Sequence, residues 1–172
     1  MNKLLAKVSE FAAWAGMELC VHKCEVAAYD FGRQTELNTR KVRYNGQRLS
    51  HLSAQDAVRY LGLRLTVTGD TSAEVAYVLS SMQSAATKFK GPPYSYRQGF
   101  NLIPTALHPV FTYSVGVSTW TMKEMQILHN LWGLMGKRAW DLTEGHNTAP
   151  FVTPHSEGGV AQLSPFHLAA KS

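Results

Sequence analysis

No two acidic residues stand side by side in this sequence, and its four aspartates, Asp30, Asp56, Asp70 and Asp141, are isolated in turn-like or capping contexts. Two-metal phosphoryl or nucleotidyl chemistry needs carboxylates converging on a pair of ions, so the chain by itself is not furnished for it. Cysteine is almost as scarce. Two thiols cannot form a disulfide framework, which points to a reducing, intracellular setting. No run approaches eighteen uninterrupted apolar residues, so no membrane span is expected. Leu4, Leu5 and Ala13-Trp14-Ala15 give a faint outline of a secretory leader, but Lys7 and Glu10 interrupt it. A phosphate-cradling glycine loop, a dinucleotide-binding glycine pattern and a Ser-His-Asp or Cys-His nucleophile are also missing. No internal repeat is evident.

What is present is a globular composition, 45% apolar and 17% charged, with an uneven charge distribution. Between Arg33 and Arg64 lie seven basic residues against Glu36 and Asp56, and the remaining ten basic and ten acidic residues balance. The net charge of +5 therefore resides in one segment. Such a concentration suits a phosphate backbone, although an arginine-rich solvated loop has the same composition.

Along the chain, Leu4, Leu5, Val8, Phe11, Ala12 and Ala15 recur at helical spacing, and Gly16 supplies a stop. Residues 18–31 read as extended. Over 41–49, Asn45-Gly46 favours the two positive φ angles of a type I′ turn, so a hairpin is expected, with Val42 and Tyr44 on one face and Arg43 on the other. Residues 50–58 read as a loop with a short helical turn, and 60–67 as a single strand with Gly62 inside it. A boundary falls near Gly69. Thr71 to Glu74 is a capping box opening a helix to about Phe89, with Val75, Val78, Leu79, Met82, Ala86 and Phe89 as its apolar stripe. Gly91-Pro92-Pro93 ends it, and Pro104 and Pro109 break 100–117 into short helical pieces. A second capping box, Thr121 to Glu124, carries a staple of Trp120 and Met125 and a stripe of Leu128, Leu131, Trp132 and Met135. Lys137 and Arg138 suit its C-terminal end. Beyond Gly145 the chain reads as loop-rich. The fold class expected is α+β: a small antiparallel sheet with a helix over 1–69, then a helical region over 70–172.

Gly16-Met-Glu-Leu-Cys-Val-His-Lys23, followed by Cys24-Glu25-Val26, resembles the motif of reverse transcriptases often called D. Tyr60-Leu61-Gly62 with its apolar flanks resembles their motif E, the primer grip. Residues 120–140 and 154–160, with Gly158-Gly159, are similar to the thumb and the following segment in non-LTR, LINE-like retrotransposons. The similarity extends over most of the chain and rests on the order of motifs that are individually weak. Cys20 stands where the family usually has asparagine, and the family's metal-binding carboxylate motifs would lie upstream of this sequence.

The resemblance implies the end of a polymerase palm followed by a thumb. It makes Lys23 the general acid for departing pyrophosphate, in a complete polymerase only, and Tyr60, Leu61 and Gly62 a grip on the primer end. It implies an RNA/DNA template–primer duplex as partner, a nuclear or cytoplasmic location, and Mg²⁺ as cofactor of the whole polymerase but none for this chain. Arg43, Arg59 and Arg64 are the candidate phosphate contacts, because those contacts need charge and reach rather than fine geometry. Cys20, His22 and Cys24 lack a second ligand pair at structural-zinc spacing and would line up along a strand rather than converge, so no metal site is expected. The isolated chain is expected to bind template–primer but not to polymerise. The alternative is a non-catalytic basic module that binds nucleic acid or another partner.

Overall fold

Polar, arginine-rich sequence builds small strand pairs here, and the more apolar sequence after it builds helices. A computed structural model describes residues 2–88, 95, 98, 101, 103–143, 145–157, 159 and 161–170. The chain is α+β and divides into two units, Met1–Asp70 and Thr71–Ser172. Among the described residues no helix is long and apolar enough to cross a membrane.

The first unit opens with α1 (Asn2–Trp14). It stops where Gly16 takes a φ of +65° and the Met17 amide donates to the Ala12 carbonyl at 2.8 Å. Of the expected stripe only Ala12 is buried, while Leu4, Val8 and Phe11 are exposed. The strands that follow form two-stranded ladders, none broad enough to cover a helix of this length.

Residues 18–31 are not continuously extended. Val21–Lys23 makes a 3-10 turn, closed by the Lys23 amide on the Cys20 carbonyl (3.0 Å) and the Cys24 amide on the Val21 carbonyl (3.1 Å). Strands β1 (Glu25–Val26), β2 (Tyr29–Asp30), β3 (Thr35–Glu36), β4 (Arg43–Tyr44), β5 (Gln47–Arg48), β6 (Ser50–His51), β7 (Val58–Tyr60) and β8 (Leu63–Leu65) follow. They pair as four separate ladders instead of one small sheet. Pairs β2–β3, β4–β5 and β7–β8 are antiparallel, and β1–β6 is parallel. Thr39 braces the β1–β6 pair: its hydroxyl donates to the Val26 carbonyl (3.2 Å) and lies 2.6 Å from His51 Nδ1.

The second unit holds the main core. Helix α2 (Ser72–Lys88) buries Val75, Val78, Met82 and Ala86, with Leu79 packed beside them. Phe89 and Gly91-Pro92-Pro93 lie outside the described residues. The Thr71 hydroxyl accepts the Thr119 amide at 3.0 Å, which ties the start of α2 to the approach of a later helix.

Pro104 and Pro109 each lie at the start of a short helical piece, as expected, and the two pieces are continuous. Ile103–Leu107 is a π-helical turn that runs directly into α3 (His108–Val117). Proline lacks an amide proton and its ring crowds the preceding turn, and a wider turn accommodates both. Helix α4 (Met122–Ala139) begins at a complete capping box, with the Glu124 amide on the Thr121 hydroxyl (3.3 Å) and the Thr121 amide on Glu124 Oε2 (2.8 Å). Leu128, Trp132 and Met135 are fully buried, and Met125 nearly so. The region expected to be loop-rich contains short helices α5 (Ala149–Val152) and α6 (Pro165–Ala169), and α6 packs against α3 and α4. Arg138 reaches past its own helix, its Nη1 donating to the Ala86 carbonyl at the end of α2 (2.8 Å).

Candidate nucleic-acid interface

Asn45 and Gly46 take φ of 48° and 79°, so the β4–β5 connection has the two positive φ angles of a type I′ turn. Val42 and Tyr44 are half-buried and Arg43 is exposed, as the alternation of a hairpin requires. The register sets Tyr44 opposite Gln47 and Arg43 opposite Arg48. The Leu49 amide donates to the Val42 carbonyl (3.2 Å), so the arginine pair falls between hydrogen-bonded pairs. Side chains approach most closely at that position, with Cα atoms about 4.5 Å apart. Arg43 Nη1 donates to the Gly46 carbonyl (3.1 Å), which holds the guanidinium over the turn.

The segment expected to be a single strand over 60–67 is a second hairpin. Leu61 and Gly62 take φ of 48° and 95° and form a two-residue turn between β7 and β8. Tyr60 lies opposite Leu63, and Arg59 opposite Arg64. Leu63 is buried and Arg59 exposed, while Arg64, across from Arg59, is half-buried. Tyr60 and Leu61 at the tip are 63% and 75% exposed. Gly62 is therefore a turn residue, not a bulge in a core strand, and a Cβ added there would meet nothing within 4 Å.

Set side by side, Arg43-Tyr44-Asn45-Gly46-Gln47-Arg48 and Arg59-Tyr60-Leu61-Gly62-Leu63-Arg64 share the pattern Arg-Tyr-x-Gly-x-Arg with the same register. Sequence reasoning missed this short repeat and left out Arg48. The signal was legible, but Asn-Gly announces a hairpin turn and Leu-Gly does not.

Lys23 is exposed at the end of its 3-10 turn. A cleft of about 580 Å³ nearby is lined by Val21, His22 and residues 47–51, including Arg48 and His51. Cys20, His22 and Cys24 do not share a strand face, because the turn separates them, and Cys24 Sγ donates to the Cys20 carbonyl (3.3 Å). Among the described residues no group of three or more His, Cys, Asp or Glu is placed to hold a metal ion. The acidic residues of the basic segment are engaged locally. Glu36 lies 3.5 Å from His51 Nε2 and accepts from the Ser53 hydroxyl (3.1 Å), and Asp56 accepts the Ser53 amide (2.9 Å).

The line Thr39–His51–Glu36 has the order of a hydroxyl–imidazole–carboxylate relay. Thr39 is 1% exposed and its hydroxyl is committed to the Val26 carbonyl, so the line braces strands and offers no nucleophile. No family model, curated protein or solved structure matches this chain.

Proposed function

We propose that this chain is the nucleic-acid-gripping part of a reverse-transcriptase-like polymerase, the end of a palm followed by a thumb, which binds template–primer without performing the chemistry itself. The observation that carries the reading is the β7–β8 hairpin, where the arginines Arg59 and Arg64 face each other behind a tip of exposed Tyr60 and Leu61. Arg43 on β4 supplies a further grip of the same kind. The motif resemblance supplies the polymerase part of the reading, in which Lys23 would act as a general acid only when the carboxylates and Mg²⁺ of a complete enzyme are present. The alternative, a basic binding module with no polymerase role, shares the hairpins and differs only in that part.

The chain is expected to bind primer–template duplex weakly and without sequence preference, and to incorporate no nucleotide with Mg²⁺ or Mn²⁺. Arg43→Ala, Arg59→Ala and Arg64→Ala together should lower the slope of log affinity against log salt by up to about 0.9 for each phosphate released on B-form DNA. The loss should be uniform across sequences, because phosphate contacts carry no base information. Lys3→Ala, Lys88→Ala and Lys123→Ala remove the same charge elsewhere. Equal losses in the two triple variants would reduce the grip to net charge, and incorporation by pure chain would overturn the division of labour.

A further inference from the structure

We propose that the cleft of about 580 Å³ between the 3-10 turn and β5–β6 takes one unpaired nucleotide, with its phosphate on Arg48 and its base against the His22 ring. This rests on the nucleic-acid reading above. It adds a subsite for a strand end, built on two residues that the reading does not use.

The volume is that of a small-molecule site and exceeds what a single phosphate needs. None of the lining residues is acidic, whereas Arg48, His22 and His51 bring a guanidinium and two imidazoles. A cleft of that composition favours an anion. The acids around it lie outside. Glu18 lines an adjoining cleft, Glu36 lines another with Arg40, and Glu25, beside Ser50 in the β1–β6 register, is not part of the lining.

The two groups assigned to the ligand are uncommitted. Both Arg48 and His22 are exposed, and among the described residues neither side chain has a hydrogen bond or an ion pair. The frame around them is fixed. His51 is held at both ring nitrogens, by the Thr39 hydroxyl (2.6 Å) and by Glu36 (3.5 Å). Leu49 is buried, and the turn carrying His22 is closed by the Lys23 and Cys24 amides. A frame set before binding lowers the ordering cost.

Each part of a nucleotide then has a counterpart. The Arg48 fork matches phosphate oxygens in bidentate fashion. The His22 ring offers a stacking face, with Val21 and Leu49 as apolar neighbours. Gln47 offers an amide donor and acceptor to a base edge, and Ser50 a hydroxyl. A base inside a duplex stack cannot be reached in this way. The ligand is therefore an unpaired nucleotide, free or at an overhang.

Affinity is measured by fluorescence anisotropy for a blunt 5′-phosphorylated duplex and for the same duplex with a one-nucleotide 5′ overhang. The overhang should bind about tenfold more tightly, as one added stacking contact allows. His22→Ala should remove that advantage and leave blunt-duplex affinity unchanged, and His22→Phe, which keeps a stacking face, should retain it. Arg48→Gln should reduce the advantage, whereas Arg33→Gln, outside the cleft, should not. In a parallel arm, adenosine monophosphate (AMP) is titrated into the full chain and followed by NMR. It should shift the ring resonances of His22 and His51, not those of His108 and His129, and inorganic phosphate should shift them less.

Duplex binding with no AMP shift at His22, and with no overhang advantage sensitive to His22→Ala, would overturn the cleft and keep the broader reading. AMP shifts at His22 without an overhang advantage would overturn the strand end as the source and assign the cleft to a free nucleotide. Equal shifts from phosphate and AMP would overturn the stacking role of His22. Failure to bind either duplex would overturn the broader reading.

Discussion

Leu61 occupies a left-handed backbone conformation, φ 48°, with three-quarters of its surface in water. Its counterpart in the other hairpin is Asn45 at the same φ, a residue that tolerates this region through local hydrogen bonding. A branched apolar side chain there costs about 1 kcal/mol or more, and its exposure recovers nothing by burial. Leu61→Asn is therefore expected to stabilise the chain by up to about 1 kcal/mol, read as a higher midpoint of urea unfolding with unchanged slope. If Leu61 touches a primer end, the same change should weaken template–primer binding while stability rises. A loss of stability would show that the turn is not of this type. The residue also shows why the second hairpin was hidden in the sequence. Leucine rarely takes positive φ, so Leu61-Gly62 read as strand interior, while Asn45-Gly46 announced its turn from local chemistry alone.

Elements specified by short-range chemistry were the legible ones. The Thr121–Glu124 capping box and the buried stripe of α4 are both present in the structure, because cap and periodicity act within a few residues. The 3-10 turn at Val21–Lys23 was not legible, since an apolar–polar alternation over so few residues fits a turn as well as a strand. Nor was the packing of α6, which brings Phe166 within 5.2 Å of the His129 ring while Trp132 stacks on the same ring at 5.6 Å. Burial pushes the His129 imidazole below its ordinary value, and His167 adds charge repulsion in the same direction. Burial likewise lowers His108, which is partly offset by a backbone hydrogen bond at Leu163. A histidine with a depressed folded-state pKa binds fewer protons than the unfolded chain just below the ordinary value of about 6.5. Its neutral packing is fully effective above that pH and weakens as pH falls. The unfolding midpoint of the helical unit should drop as pH falls through and below about 6.5, and His129→Gln should flatten the dependence. A midpoint that rises on acidification would contradict the burial of these rings.

At the scale of the whole chain, burial is distributed in the opposite sense to charge. The helical unit buries Phe111, Trp132, Met135, Phe151 and their neighbours in one cluster, whereas the buried apolar residues described in the first unit are Ala12, Leu49, Ala54 and Leu63. Small ladders with little apolar burial open at low free energy, and a packed helical core opens only near the global limit. Amide hydrogen exchange should accordingly be fast over β4–β5 and β7–β8 and slow over α2 and α4. A ligand that binds the folded hairpins adds RT ln(1 + [L]/Kd) to their opening free energy, about 2.7 kcal/mol at a hundredfold excess over Kd. Saturating duplex should therefore slow exchange in both hairpins and leave α4, whose protection already reflects its own core, nearly unchanged. The variant with Arg43→Ala, Arg59→Ala and Arg64→Ala together should show fast hairpin exchange with or without duplex. Equal slowing across both units would mean that binding acts on the chain as a whole, and slowing confined to α2 and α4 would place the nucleic acid on the helices instead of the hairpins.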